Sequence, residues 1–210
     1  MNLDRQTVAR AALRLLDEVG LDGLTVRRLA SELGVQAPAL YWHFKNKEEL
    51  LDLMATMVFA DAIREHGMPD EKAPWQEWTL EHGKRLRQIL LRYRDGARMF
   101  SGRYLTDASL FEAMEISLRK LTDAGFSLRD AARGLNTIYC YVVGFAIEEQ
   151  AIYPRLGKRS KRYDLAKRSK RIDAKKYPLS VGAGEHTFLN FDEQFEQGLR
   201  LIIKGLQGKQ

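Results

Sequence analysis

The sequence predicts an all-α protein, a small N-terminal helical module followed by a larger helical body. Apolar residues recur at helical spacing along most of the 210 residues, and no stretch shows the convincing alternation of a strand. Short helices with clear start and stop signals crowd into the first 46 residues, whereas the later stripes are long.

The first helix is expected over 5–19, where Val8, Ala11, Ala12, Leu15, Leu16 and Val19 form one stripe, with Asp4 as N-cap and Gly20 as the stop. A second, short helix follows Thr25 as N-cap, buries Val26, Leu29, Ala30 and Leu33, and ends at a left-handed Gly34. In VQAPALYWHF, Pro38 fits the first turn of a third helix of about two turns, because its missing N–H has no partner there anyway. Asn46 and Glu49 have capping-box spacing and open a fourth helix. Three helices with a tight glycine turn between the second and third describe a helix-turn-helix. Further stripes cover 48–65, 75–93, 107–123, 128–152 and 187–206, with breaks at 67–69, 95–96, 124–125, 153–154 and the Gly-rich VGAGE of 181–185.

Composition narrows the class. The chain is 45% hydrophobic and has one cysteine, Cys140, so no intramolecular disulfide or cysteine-rich zinc site is available. No apolar run approaches the ~18 residues of a membrane span, and MNLDRQTVAR lacks the features of a signal peptide, so a soluble, cytoplasmic protein is expected. The net charge of +6 is unevenly placed: Arg155 to Lys176 holds eleven Lys/Arg against two acids, a local +9 that leaves the remainder at −3. Within it, KRSKR(Y/I)D is written twice, nine residues apart.

A helix-turn-helix reads DNA by placing its second helix in the major groove, where base edges carry a donor and acceptor code. The exposed start of that helix reads Gln36, Ala37, Pro38, Ala39, then Tyr41, Trp42 and His43, while Leu40 and Phe44 turn inward. The small side chains of Ala37 to Ala39 permit close approach and suit a thymine methyl.

TVRRLASELGVQAPALYWHFKNKEEL resembles the DNA-binding module of the TetR family of bacterial transcription regulators, and LLRYRDGAR and GFSLRD resemble segments of the ligand-binding body of its tetracycline repressors. The resemblance covers residues 3–152 well and 185–206 weakly. It implies a DNA-binding module at 1–46 and a ligand-binding and dimerisation body at 47–210, with 153–184 a basic variable loop. It also implies a homodimer on palindromic double-stranded operator DNA, repressing until a small-molecule inducer releases it. By the same resemblance Arg27 reaches a guanine, Gln36 and Ala37 to Ala39 face bases, and Thr25, Tyr41, His43 and Lys47 contact phosphates. Ala37 and Ala39 replace polar residues of the tetracycline repressors, so a different operator is expected. Tyr41 and Trp42 have an alternative, packing between the third and fourth helices, and Arg14 and Arg28 read as solvated surface.

The body's implied chemistry departs from the family pattern. A metal-binding histidine belongs soon after RYRDGA, but the aligned residue is Phe100, which offers no donor to a hard cation. No metal and no cofactor are therefore expected. Glu148 keeps an acid position, His82 replaces an amide, and Leu86 and Cys140 replace an aromatic and a histidine. The expected pocket comprises His82, Leu86, Phe100, Tyr104, Met114, Ser117, Leu135, Tyr139, Cys140 and Glu148, suited to a largely apolar or aromatic inducer. Dimerisation maps to 128–150 and 187–206, the latter with Phe188, Phe191, Phe195, Leu199 and Ile202 on one stripe.

Two other functional classes compete with this reading. An enzyme is not expected: the four histidines show no H-E-x-x-H spacing, and neither a glycine-rich phosphate loop nor G-x-S-x-G occurs. A DNA-organising or activating helix-turn-helix protein without an inducer is the alternative. For the doubled basic phrase the leading reading is a solvated, partly disordered loop, with a basic flap over the partner's pocket entrance as the chief alternative.

Overall fold

The computed structural model describes residues 3–104, 107–155 and 157–208. Among them there are helices and no strand: α1 (Arg5–Gly23), α2 (Val26–Glu32), α3 (Ala37–Leu40), α4 (Lys47–His66), α5 (Trp75–Leu91), α6 (Gly96–Phe100), α7 (Ala108–Thr122), α8 (Leu128–Ile152), a 3-10 turn (Lys161–Tyr163), α9 (Leu165–Lys170), α10 (Pro178–Phe188) and α11 (Phe191–Gln207). None of the described helices is long and apolar enough to cross a membrane.

Local signals place the N-terminal helices as the sequence suggests. The Asp4 carboxylate accepts the Thr7 N–H at 2.7 Å, and the Thr25 hydroxyl accepts the Arg28 N–H at 3.3 Å. Gly20 (φ 76) breaks α1, and one further turn leads to Leu24. Asn46 accepts the Glu49 N–H at 2.9 Å, but the Glu49 carboxylate reaches back to the Lys45 N–H at 2.8 Å, one residue before the reciprocal partner a capping box uses. Leu29, Leu40 and Phe44 turn inward with Val8, Ala12 and Leu16 of α1, and α4 closes this core with Leu50 and Met54. Each fully buried Leu or Phe contributes about 1.5–3 kcal/mol, which is what holds helices this short.

In the body, α8 packs against α5, α6, α7 and α11, and α4 packs against α1 on one side and α5, α6 and α7 on the other. Phe100, Ile138, Val142, Phe195 and Leu199 lie at its centre.

Four expectations are corrected. The third helix has four residues rather than two turns, because Tyr41 already closes on Pro38 with a 3.2 Å turn hydrogen bond. The stripe expected over 75–93 ends at Leu91, and the break at 95–96 opens the short helix α6. The break expected at VGAGE lies inside α10, where a side chain at Gly184 would meet only the movable tip of Arg168. Segment 153–184 is thus no loop throughout, and the last helix begins at Phe191, after a left-handed Asn190 (φ 55), which leaves Phe188 in α10 facing Tyr163.

Candidate nucleic-acid interface and ligand cavity

The reading surface comes from α2, α3 and the turn after α3. Thr25, Arg27, Gln36 and Pro38 are exposed, and Ala37, Ala39 and His43 are half-buried between them and the core. Inward Leu40 and Phe44 fix the rotation of α3, so the residues between them face out. Trp42 is 89% exposed, which removes the packing alternative for it in this chain; Tyr41, 52% exposed, leans on Phe44 at 6.2 Å between ring centres. The Lys47 ammonium donates to the Leu21 carbonyl at 3.2 Å, an intramolecular tie that leaves two of its three N–H bonds for an anion.

Polar contacts join this unit to the body around the end of α1. The Leu21 N–H donates to the Asp95 carboxylate at 2.9 Å, the Arg94 N–H to Asp17 at 3.0 Å, and the Arg94 guanidinium to the Glu18 carbonyl at 2.9 Å. Asp95 is itself left-handed (φ 55), a conformation that Asp tolerates better than most residues.

The body contains a cavity of about 1400 Å³ between α4, α5, α7 and α8. Of the expected pocket residues, His82, Leu86, Met114, Ser117, Leu135 and Tyr139 line it. The other four do not. Phe100 is buried one layer back, edge-on to Phe59 at 4.8 Å; Tyr104 is 76% exposed; and Cys140 and Glu148 are exposed away from the cavity. On α8, Leu135, Ile138 and Tyr139 share the cavity face, and the helical period turns positions 140 and 148 elsewhere.

Sequence reasoning missed the contribution of α4, whose Phe59, Ala62, Ile63 and His66 form a wall, and of Arg85 and Ile89 on α5. A helical projection from His82 and Leu86 would have found the latter pair. The rim charges engage one another: Arg92 pairs with Glu65 at 3.1 Å, and Arg85 with Glu81 at 2.7 Å while donating to the His66 carbonyl at 3.1 Å. The remaining wall is chiefly apolar.

His82 is the main polar group inside. Burial, and secondarily the charge of Arg85, lower its pKa to about 4, so near neutral pH it is an uncharged ring with one donor and one acceptor nitrogen. It stacks on Trp78 at 5.0 Å and 11°. The Ser117 hydroxyl donates to Ala113 O at 2.7 Å, which leaves its oxygen available as an acceptor. Among the described residues no group of three or more His, Cys, Asp or Glu side chains comes together in a way that could hold a metal ion.

Behind the cavity, Arg87 forms a bidentate pair with Glu149, at 2.7 Å from Nε and 2.7 Å from Nη2, and its Nη1 reaches Asp192 at 2.7 Å. Its guanidinium also lies over Phe145 and Phe195, at 5.6 and 5.0 Å. One side chain thus ties α5, α8 and α11 together.

Comparison with known proteins agrees with this architecture. Residues 9–54 match the family model "Bacterial regulatory proteins, tetR family", and residues 68–209 match "Tetracyclin repressor-like, C-terminal domain". The chain is 42% identical to the tetracycline repressor protein class A from transposon 1721 of Escherichia coli, over 97% of this chain and 90% of that one. It is similar to a solved possible TetR family regulator from Streptomyces coelicolor A3(2), with TM-score 0.84, 36% identity and coverage of 99% and 100% of the two chains. It is also similar to the Streptomyces coelicolor TetR family protein ActR in complex with actinorhodin, with TM-score 0.82, 32% identity and coverage of 99% and 98%. By helix-turn-helix, cavity-bearing body and near full-length likeness, the chain belongs to the TetR family of bacterial regulatory proteins.

Proposed function

We propose that this protein is a cytoplasmic homodimeric repressor that reads a palindromic operator with residues 1–46 and is released when a largely apolar, aromatic inducer enters the body, 47–210. The observation that carries the reading is the continuity of α4. Its first turns, with Leu50 and Met54, belong to the core that fixes α3, and its later turns, with Phe59 and Ile63, are cavity wall. A ligand that binds better to one tilt of α4 therefore shifts the spacing of two reading helices, with a differential affinity of a few kcal/mol sufficient to change occupancy.

The reading assigns Arg27, Gln36 and the 37–39 run to bases, and Thr25, Tyr41, Trp42, His43 and Lys47 to the backbone of the duplex. The inducer is expected to lie against His82, Leu86, Met114, Ser117, Leu135 and Tyr139, with neutral His82 supplying the orienting hydrogen bond. The similar repressors named for tetracycline, and ActR solved with actinorhodin, support a polycyclic ligand of this general kind. A metal bridge is not part of the proposal. Two copies would meet through α8 and α11, where Thr137, Cys140 and Gly144 line the outer side of one helix and Leu201, 72% exposed, stands on the other.

The test is binding of the purified protein to the DNA upstream of its own gene, with a panel of polycyclic aromatic compounds titrated into the complex. Sequence-selective binding by a dimer and its loss with one compound class are expected. A protein that remains on its operator while a compound saturates the cavity would instead be a regulator without an inducer.

A further inference from the structure

We propose that the basic segment 158–176 is a second, sequence-independent binding surface for the phosphodiester backbone of nucleic acid, separate from the helix-turn-helix. The doubled phrase folds into two supports. Its first copy forms the 3-10 turn before Asp164, and its second forms α9 and the turn before Asp173. Both acids are used structurally. Asp164 accepts the Lys167 N–H at 3.0 Å at the start of α9, and Asp173 accepts the Lys175 and Lys176 N–H groups at 2.9 and 3.3 Å.

Lys167 and Arg159 help to lower the Asp164 pKa through their charge, but neither acid makes a close ion pair. Among the described residues no Lys or Arg of this segment has a carboxylate within ion-pair distance, whereas cations elsewhere on the surface do, as in Arg10–Asp61 and Arg103–Glu48. Two arginines hold the shape. Arg159 donates to the Tyr163 carbonyl and the Tyr153 hydroxyl, both at 3.2 Å, and Arg168 donates to Ser180 O at 3.0 Å while lying over Phe188. Lys161, Arg162, Lys170 and Arg171 are exposed beside them, and all but Lys170 line a cleft of about 420 Å³.

A set of like charges held together on a folded support repels itself, and an extended anion with regularly spaced charges relieves that repulsion. Nucleic acid is favoured over a membrane or an acidic protein. Duplex DNA is the polyanion that a helix-turn-helix regulator of this family already holds, so a second cationic surface on the same molecule meets it at high effective concentration. Just before the segment, the Arg155 guanidinium donates to the Asp17 carbonyl of α1, which ties this part of the chain to the N-terminal module.

The experiment compares the full-length protein with a variant in which Lys161, Arg162, Lys170 and Arg171 are replaced by glutamine, a surface change whose folding is checked by thermal melting. Binding to random-sequence duplex is measured against salt concentration. Each phosphate contact contributes about 0.9 to the slope of log affinity on log salt, so the variant's slope should become shallower by one or more. A change smaller than one overturns the proposal, even if the variant loses binding to vesicles of anionic phospholipid, which would assign the surface to a membrane. Duplexes just long enough for one dimer, and duplexes extended at both ends, separate two sources of backbone. A slope change confined to extended duplex places the contact on flanking DNA, and one present on both places it on a second strand or duplex. Glutamate at the same four positions should deepen the loss.

Discussion

The Asp95 carboxylate accepts the backbone N–H of Leu21 across 74 positions of sequence, at 2.9 Å, and thereby fastens the end of α1 to the turn that starts α6. Asp95→Asn retains an oxygen acceptor and tolerance of the left-handed conformation, and should cost about 1 kcal/mol. Asp95→Ala loses both and should cost about 2 kcal/mol or more. Denaturant unfolding measures these losses. The same alanine variant should need a different inducer concentration for operator release, and an unaltered dose-response would deny this contact a part in coupling.

Glu149→Ala would leave the buried Arg87 guanidinium without its bidentate partner. A loss of about 3–5 kcal/mol is expected in equilibrium unfolding. Asp192 bonds the same arginine, but its side chain is 97% exposed, so Asp192→Ala should lose less than ~1 kcal/mol. Equal effects from the two changes would contradict this account of the cluster.

Stability should decline with acidification because of His82. Its folded pKa, about 4, lies below the ordinary value of 6.5, so between these two pH values the unfolded chain binds a proton that the folded chain excludes. Stability is therefore full above pH 6.5, falls toward pH 4 by at most about 3 kcal/mol, and then levels off with respect to this group. In His82→Gln, the stability-versus-pH curve from urea melts should be flatter across that window.

Arg27→Ala should reduce discrimination between operator and random duplex by about 5- to 150-fold, the equivalent of 1–3 kcal/mol for one bidentate base contact. The salt slope of binding should change by no more than about one. A preserved specificity ratio would reassign Arg27 to the phosphate backbone.

Removing Mg²⁺ with a chelator should leave inducer binding unchanged in calorimetry. The reason is that the rim carboxylates Glu65 and Glu81 are engaged by Arg92 and Arg85, and no group of three or more His, Cys, Asp or Glu among the described residues could hold a metal ion. A loss of affinity on chelation would mean that donors outside the described cavity wall complete a metal site.

The N-terminal module was legible because its signals are local. Asp4, Thr25 and Asn46 each announce a helix start with a side-chain acceptor, and Gly20 and Gly34 mark stops within one turn. The cavity was half legible because its lining depends on rotation about helix axes that only tertiary packing fixes. Tyr139 faces inward while its neighbour Cys140 does not, and Glu149 is buried while Glu148, the position that the resemblance implies, is exposed. Arg87 was invisible for another reason: a charged residue on a helix reads as solvated surface until its partners arrive from α8 and α11. Glycines at 182 and 184 argue for a loop, yet both lie within α10.

Leu86 and Arg87 are consecutive on α5 and serve different faces of it, one lining the cavity and the other gripping α8 and α11. The cavity wall and the proposed seam between two copies are therefore mechanically in series, with little slack between them. Apolar surfaces slide past one another at small cost, but a forked guanidinium held at both prongs resists displacement in every direction in its plane. An occupant that pushes α5 aside would be felt at the seam as well as along α4, so the force of binding has two routes out of the same room.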